Sequence, residues 1–273
     1  MRTALILGSG NWAKRVTDRL LNLDFDEVCQ LSARTFLEER INKNLGNYSL
    51  IACITRPAIQ EALVPSLATM NTRIWLEKPL ASSPRMAREL LNIFENSSAI
   101  ALVNFSWLFS SVWQSFKKLE ITQRDFQKII ILRNGNLKSR SYISLQEDCG
   151  SHDLALVFDW LNIKNAEIDR FNSRFSEFTW VVGNQRFIWK WDPSYSSSPM
   201  VWEIHLKNGE IMQIDFYNKR ITYDGVLIVK SSAKKDNIEV FVETLLTVNQ
   251  INSQRNLALG VEVKNFFHRL REK

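Results

Sequence analysis

The stretch Ala4-Leu5-Ile6-Leu7-Gly8-Ser9-Gly10-Asn11-Trp12-Ala13 decides the fold of the first part of this chain. Its apolar start predicts a buried strand, and its glycines predict a tight turn into a helix. Gly8 would allow the turn, Gly10 would let backbone N–H groups approach a pyrophosphate, and Ala13 would let the helix pack closely on the strand. The helix N-terminus would add partial positive charge. We therefore assign Gly8, Ser9, Gly10, Asn11, Trp12 and Ala13 to dinucleotide binding; the alternative is a glycine turn that needs no ligand.

The composition is that of a folded protein without a membrane span. The 273 residues leave room for one large or two medium domains, and 45% of them are hydrophobic. No apolar run approaches the roughly 18 residues of a membrane helix, and the run before Gly8 is too short for a signal peptide. Cys29, Cys53 and Cys149 lack the spacing of metal ligands. We expect a cytoplasmic protein with reduced thiols and no metal site.

The net charge of +6 comes from basic residues that are scattered along the chain. Nucleic-acid binding would require them in one arm or on one face, so neither a nucleic-acid nor a membrane partner is indicated. An anionic small-molecule substrate explains the charge equally well. Arg133, Lys138 and Arg140 could bind an acidic sugar, although a solvated basic loop is the more common meaning of such residues.

Helix and strand patterns alternate through the first hundred residues. Helices are predicted at 11–23, 35–45, 58–68 and from Pro84, and strands at 27–31, 49–55, 73–76 and 99–105. Such alternation predicts a doubly wound parallel sheet with helices on both faces. We expect an α/β Rossmann domain over residues 1–105.

The pattern changes after about residue 120. Aromatic-rich strands are predicted at 187–191 and 201–206, with hairpin signals at Asn208-Gly209 and Asp224-Gly225. Hydrophobicity alternates along 202–207 and 210–216, so one face of the sheet is covered. Helices are predicted at 237–249 and 253–270, and a serine-rich loop at 194–198. We expect an α+β domain with a mostly antiparallel sheet over residues 106–273.

Two further segments are candidates for chemistry. Glu77-Lys78-Pro79 follows a predicted parallel strand, where open α/β sheets bind ligands. A lysine in this position is otherwise a solvated charge. Asp148 and His152 are four residues apart, on one helix face if the helix has begun at Asp148. A carboxylate beside an imidazole can orient it and raise its pKa for proton transfer; alternatively, Asp148 caps the helix and His152 is structural.

These segments, in this order, resemble the glucose-fructose oxidoreductase/inositol dehydrogenase (Gfo/Idh/MocA) family. The resemblance rests on the glycine loop, on the Glu77-Lys78-Pro79 triplet and on the D-x-G-x-H pattern of Asp148, Gly150 and His152. It implies an enzyme that transfers a hydride between nicotinamide and a carbonyl or hydroxyl carbon of a sugar, cyclitol or related molecule. Lys78 and His152 would contact the reacting oxygen, and Asp148 would position substrate or His152. The antiparallel sheet would form a substrate wall and often a homo-oligomer interface.

The chain departs from that family in several places. It is short, and the shortening lies mainly in the second domain. Thr55-Arg56-Pro57 stands where a Thr-Pro-Asn-like turn is followed by a histidine that this chain lacks. The segment 104–107 lacks the arginine of the family's aromatic-arginine element. We assign Thr55, Arg56, Pro57, Glu77 and Lys78 to cofactor binding.

The end of the second predicted strand indicates the choice of cofactor. An acidic residue there binds the free ribose 2′-hydroxyl of NAD. The segment 31–35 contains no acid, whereas Ser32, Arg34 and Thr35 could bind the 2′-phosphate of NADP. We favour NADP over NAD; the alternative is that Arg34 is a surface residue.

Two other functions remain open. A protein of this architecture can be a non-catalytic dinucleotide sensor or regulatory subunit. It can also reduce an imine or a conjugated alkene, as in thiazoline or bilin reduction. The sequence does not name the substrate.

Overall fold

The computed structural model describes residues 1–38, 48–122, 124–134, 144–162, 170–174, 177–182, 185–191, 200–233 and 235–271. Two compact units make up the chain. The first contains Met1–Ser106 and Lys235–Arg269, and the second contains Trp107–Lys234 and Leu270–Lys273. Across the described ranges, no helix has both the length and the apolar character that crossing a membrane requires.

The first unit contains a five-stranded parallel sheet in the order β2-β1-β3-β4-β5, as predicted. Its strands are β1 (Thr3–Leu7), β2 (Glu27–Leu31), β3 (Leu50–Cys53), β4 (Arg73–Leu76) and β5 (Ile100–Val103). The helices between them are α1 (Asn11–Leu21), α2 (Ala33–Glu38), α3 (Pro57–Leu67) and α4 (Pro84–Glu95). Every residue of β1 and β3 is buried, as expected for central strands covered on both faces.

The second unit contains an eight-stranded sheet in the order β13-β12-β11-β10-β6-β9-β8-β7. Its strands are β6 (Phe126–Arg133), β7 (Arg170–Arg174), β8 (Glu177–Val182), β9 (Gln185–Trp191), β10 (Met200–Leu206), β11 (Ile211–Asp215), β12 (Arg220–Tyr223) and β13 (Val226–Lys230). Among the described strands of this sheet, only β6 and β9 pair in parallel, so the predicted mostly antiparallel sheet is confirmed. The helices of this unit are α5 (Ser111–Lys117) and α6 (Leu145–Leu161). The predicted loop 194–198 lies outside the described residues.

Aromatic side chains form the core of the second unit. Trp113 of α5 packs edge to face against Trp202 of β10, with ring centroids 5.5 Å apart, and stacks on Phe216 at 6.2 Å. The aromatic residues that distinguish this half of the sequence are therefore core residues. Val226 and Leu227 of the edge strand β13 are exposed. A homo-oligomer formed through this sheet stays a prediction.

The last two helices are α7 (Asn237–Thr247) and α8 (Gln250–Arg271). The predicted domain boundary placed both helices in the second domain, and the structure does not. Apart from the last residues of α8, they belong to the first unit. The reason is that β5 is an edge strand whose backbone needs partners. Ser253 of α8 bonds both backbone groups of Ala101, and Asn256 accepts from the Val103 N–H at 2.6 Å. Side chains of α8 thus take the place of a sixth strand.

Candidate functional site

The glycine turn after β1 is built by close packing. The Gly8 N–H donates to the Leu31 carbonyl at 2.8 Å, and Gln30 Nε2 donates to the Gly8 carbonyl at 2.8 Å. Gly8 has φ = 155°, and a Cβ there would lie 2.3 Å from the Ile54 carbonyl oxygen. No side chain fits, so Gly8 is required by the fold itself, whether or not a ligand binds.

Gly10 differs from Gly8 in what surrounds it. It is the N-cap residue of α1, with extended backbone angles (φ −80°, ψ 172°) and no side-chain cap. A Cβ on Gly10 would meet no atom of the described chain within 4 Å. The buried Ala13 packs against the sheet, as predicted, while Ser9 and Asn11 are exposed. The first turn of α1 therefore presents backbone N–H groups to open space, which suits an anion.

Glu77, directly after β4, is a buried carboxylate surrounded by donors. Its Oε1 accepts from Trp12 Nε1 at 3.0 Å, from Trp75 Nε1 at 2.9 Å and from Asn104 Nδ2 at 3.0 Å. Burial raises the pKa of Glu77, while the donors and the charge of Lys78 act in the opposite direction. The structure thus joins two predicted site residues, Trp12 and Glu77. Trp75 and Asn104 are not among the predicted site residues.

The Lys78 segment is fixed by Gln60 of α3, a residue that the sequence patterns do not single out. The Gln60 side chain is fully buried. It donates from Nε2 to the carbonyls of Glu77 (3.2 Å) and Leu80 (2.8 Å), and it accepts from the Glu77 N–H at 2.8 Å. Gln60 therefore holds the backbone on both sides of the half-buried Lys78. A lone amide on the apolar face of α3 is the only sequence signal for this role.

The end of β2 carries the three residues predicted to bind a 2′-phosphate. Ser32 Oγ accepts from the Thr35 N–H at 2.9 Å, and the two hydroxyl oxygens are 2.6 Å apart. The Arg34 side chain is 85% exposed and pairs with Glu38 at 2.6 Å. An exposed pair of this kind contributes only about 0.3–0.5 kcal/mol, so Arg34 can leave it at little cost.

Two buried polar atoms lie at the same sheet edge without a hydrogen bond. They are Thr55 Oγ1, after β3, and Asn104 Oδ1, after β5, and neither has a partner among the described residues. Arg56 is the N-cap residue of α3 and Pro57 is its first residue. Buried polar atoms without partners are rare and call for an explanation.

In the second unit, α6 begins before Asp148. Ser144 is its N-cap residue, and its side chain accepts from the Glu147 N–H at 3.2 Å. Asp148 and His152 are thus both helical and lie one turn apart on the same face. The alternative in which Asp148 caps the helix is wrong. Lys78 belongs to the first unit, and Asp148 and His152 belong to the second.

Asp153, next to His152, anchors α6 to the central strands of its sheet. Its carboxylate accepts from Arg133 Nε at 2.9 Å, from Trp189 Nε1 at 3.1 Å and from Trp202 Nε1 at 3.2 Å. Because this carboxylate offsets the charge of Arg133, that residue does not offer a free cation to an anionic substrate. Lys138 and Arg140, predicted for the same role, lie outside the described residues.

The remaining candidate groups have ordinary roles. Burial raises the pKa of Cys53 to about 12, as expected for an inert core thiol. Burial, together with the nearby Lys128 charge, lowers the pKa of His205 in β10. Among the described residues, no cluster of histidine, cysteine and carboxylate side chains could hold a metal ion.

Comparison with known proteins shows the fold. No protein-family model matches the sequence, and no curated protein matches it. UDP-N-acetylglucosamine 3-dehydrogenase GnnA from Acidithiobacillus ferrooxidans matches with a TM-score of 0.73 and 15% identity over 97% of each chain. The dehydrogenase MviM from Clostridium difficile matches with a TM-score of 0.75 and 15% identity over 99% of each chain.

A third solved structure, aldose-aldose oxidoreductase from Caulobacter crescentus complexed with glycerol, has a TM-score of 0.74 and 12% identity over 99% of this chain and 98% of that chain. At identities this low, the likeness shows a shared fold. It confirms the predicted fold class, in which a Rossmann-type sheet is combined with a mostly antiparallel sheet.

The anchoring role of Asp153 can be tested by its removal. Asp153→Ala leaves Arg133 and two indole N–H groups buried without their acceptor, so we expect a loss of about 3–5 kcal/mol in the free energy of unfolding. Glu177→Ala is the matched control, because Glu177 pairs with Lys190 at the surface (3.1 Å, side chains 37% and 42% exposed). The loss in the free energy of unfolding of Glu177→Ala should stay below about 1 kcal/mol. Urea unfolding measures both, and equal losses would contradict the anchoring role.

Proposed function

We propose that the first unit binds a nicotinamide dinucleotide and that the protein is an oxidoreductase of the Gfo/Idh/MocA family. One observation carries this proposal: the uncapped N-terminus of α1 faces open space at Gly10. This helix end lies at the carboxyl edge of the sheet, where the strand order reverses between β1 and β3. Open α/β sheets bind dinucleotides at that point, with the pyrophosphate on the helix N-terminus.

Polar groups at the same edge fit such a ligand. Thr55 Oγ1 and Asn104 Oδ1 lack hydrogen-bond partners in the described part of the chain, and a bound polar molecule would supply such partners. With Arg56, Pro57, Glu77 and Lys78, they would line the path of the dinucleotide. The open space at Gly10 would accept the pyrophosphate. A residue larger than glycine would fill this space and exclude the ligand.

We propose that the substrate is a sugar, a cyclitol or a related small molecule. Support comes from structures of the same fold named as acting on UDP-N-acetylglucosamine and on aldoses. The nicotinamide, when bound, supplies or accepts the hydride. Lys78 and His152 would bind the substrate oxygen, one of them donating or accepting its proton. Asp148, one turn before His152, would orient the imidazole, and Gln60 would keep the Lys78 backbone in place.

We propose that the dinucleotide is NADP. The end of β2 has no carboxylate to bind a free 2′-hydroxyl, and the Ser32 and Thr35 hydroxyls lie together at the start of α2. Arg34, which holds only an exposed pair with Glu38, could turn to a phosphate and bind it with two donors.

Gly10→Val tests the dinucleotide site. The backbone angles of Gly10 suit any residue, so the variant should fold, with only a small loss of stability because valine is a poorer N-cap residue than glycine. The valine would fill the open space, so NADPH should no longer raise its melting temperature. Gly8→Ala is the contrasting control and should lose stability, because its Cβ would collide with the Ile54 carbonyl. If NADPH stabilised Gly10→Val as much as the wild type, the glycine turn would be structural only.

Arg34→Ala tests the cofactor preference. The wild type should bind NADPH more tightly than NADH. In the variant, NADPH binding alone should weaken, so the difference between the two affinities should become smaller. Isothermal titration calorimetry with both cofactors gives the two affinities. Arg85→Ala is the matched control, because Arg85 forms the same kind of exposed pair, with Glu89 in α4. A clear preference of the wild type for NADH would overturn the NADP assignment.

The proton-transfer residues are tested by Lys78→Met and His152→Asn. Each should lower turnover about 10²- to 10⁴-fold. His152→Asn, which changes a residue of the second unit, should leave NADPH affinity nearly unchanged. The double variant should lose far less than the product of the two single losses, since both residues serve one step. NADPH absorbance with a panel of sugars, sugar nucleotides and polyols identifies the substrate and measures the rates.

Lys118→Met and His268→Asn, at exposed positions, are the matched controls and should have wild-type rates. Wild-type rates in both Lys78→Met and His152→Asn would contradict the assignment and favour reduction of an imine or alkene. Cofactor binding without turnover of any substrate would favour a sensor.

A further inference from the structure

We propose that Trp12 forms a wall of the nicotinamide pocket and that Glu77 is a positioning residue that holds the indole there. The inference rests on the proposed dinucleotide binding and assigns a specific role to the buried cluster around Glu77. It concerns residues of the first unit only.

The Trp12 indole bridges two parts of the sheet edge. Trp12 is the second residue of α1, and its Nε1 reaches Glu77 Oε1 at 3.0 Å. Glu77 directly follows β4, and β3 lies between β4 and β1. Neighbouring strands are about 4.8 Å apart, so the hydrogen-bonded Trp12 and Glu77 side chains together bridge the roughly two strand spacings between β1 and β4. The indole therefore lies over the edge at which the ligand is proposed to bind.

The direction of the dinucleotide follows from the strand order. The pyrophosphate would lie at Gly10, after β1, and the adenosine ribose would lie at Ser32, after β2. Because β2 and β3 flank β1 on opposite sides, the nicotinamide half must extend toward β3 and β4. The Trp12 indole extends along the same edge in the same direction. The two flat rings would therefore come into contact.

Glu77 fixes the indole through a carboxylate that is itself immobilised. Two of its three donors come from buried residues: Trp75, which packs edge to face on Phe241 at 4.8 Å, and Asn104. Trp12 is half-buried, so part of its ring surface remains available. A phenylalanine at position 12 would offer a similar ring but no N–H for Glu77.

The experiment compares two variants that each remove one indole N–H from the same carboxylate oxygen. Trp12→Phe should weaken NADPH binding about threefold to tenfold, in line with the range of aromatic contacts. It should leave unchanged the binding of 2′-phospho-ADP-ribose, which lacks the nicotinamide. Trp75→Phe, the matched control, should change neither affinity, because Trp75 belongs to the buried strand β4. Calorimetric titration with both ligands gives the affinities, and thermal melting checks that each variant folds.

Glu77→Gln completes the test because its amide oxygen can still accept the indole N–H. This variant should weaken NADPH binding less than Trp12→Phe does, because its amide oxygen keeps a hydrogen bond to the indole N–H, although a bond to a neutral acceptor has only about half the strength of one to a carboxylate. It also supplies a second result should Trp75→Phe fail to fold. A loss in Glu77→Gln as large as in Trp12→Phe would overturn the positioning role.

Other outcomes separate the inference from the function on which it rests. Equal NADPH affinity in Trp12→Phe and wild type would overturn the inference and leave dinucleotide binding intact. An equal loss for both ligands would also overturn it, because Trp12 would then support the loop as a whole. If the wild type bound neither ligand, the proposed function would fail, and the inference with it.

Discussion

A carboxylate that is buried away from water needs hydrogen-bond donors around it. Glu77 has three N–H donors, all of them bonded to its Oε1 atom. The three donors come from α1, from β4 and from the segment after β5. The glycine turn and the Lys78 segment are therefore held by one polar cluster. Gln60 completes it by fixing the Glu77 backbone from α3. Without this cluster, the carboxyl edge of the sheet would have no fixed arrangement of site residues.

The second unit meets the same constraint at Asp153. Two indole N–H groups and the Arg133 guanidinium surround its carboxylate, and they come from the three adjacent strands β6, β9 and β10. Each unit thus places a buried acid one residue away from the side chain proposed to move a proton: Glu77 beside Lys78, and Asp153 beside His152. Anchoring by an adjacent buried group fixes the backbone that carries each proposed catalytic side chain.

Local patterns predict much of this fold because they report local physics. The strands at 27–31 and 73–76 match their predictions, and the Asn-Gly and Asp-Gly signals mark the β10–β11 and β12–β13 hairpins. The placement of α7 and α8 could not be predicted in this way, because a helical pattern does not indicate which sheet the helix will cover. Their return to the first unit depends on Ser253 and Asn256 reaching β5, about 150 residues earlier in the sequence.

The site is predictable to the extent that its residues lie in motifs. Gly8 and Gly10 look equivalent in the sequence, and only the structure shows that one is required for packing and the other faces open space. Asn104 and Asp153 follow or interrupt apolar runs. Their importance depends on partners elsewhere in the chain, so no local pattern reveals it.

Amide hydrogen exchange of the wild-type protein, with and without NADPH, tests the central claim most directly. If the pyrophosphate binds at the N-terminus of α1, the amides of residues 8–13 should exchange more slowly when NADPH is present, while those of α4 should be unchanged. Unaltered exchange at residues 8–13 under saturating NADPH would contradict the account.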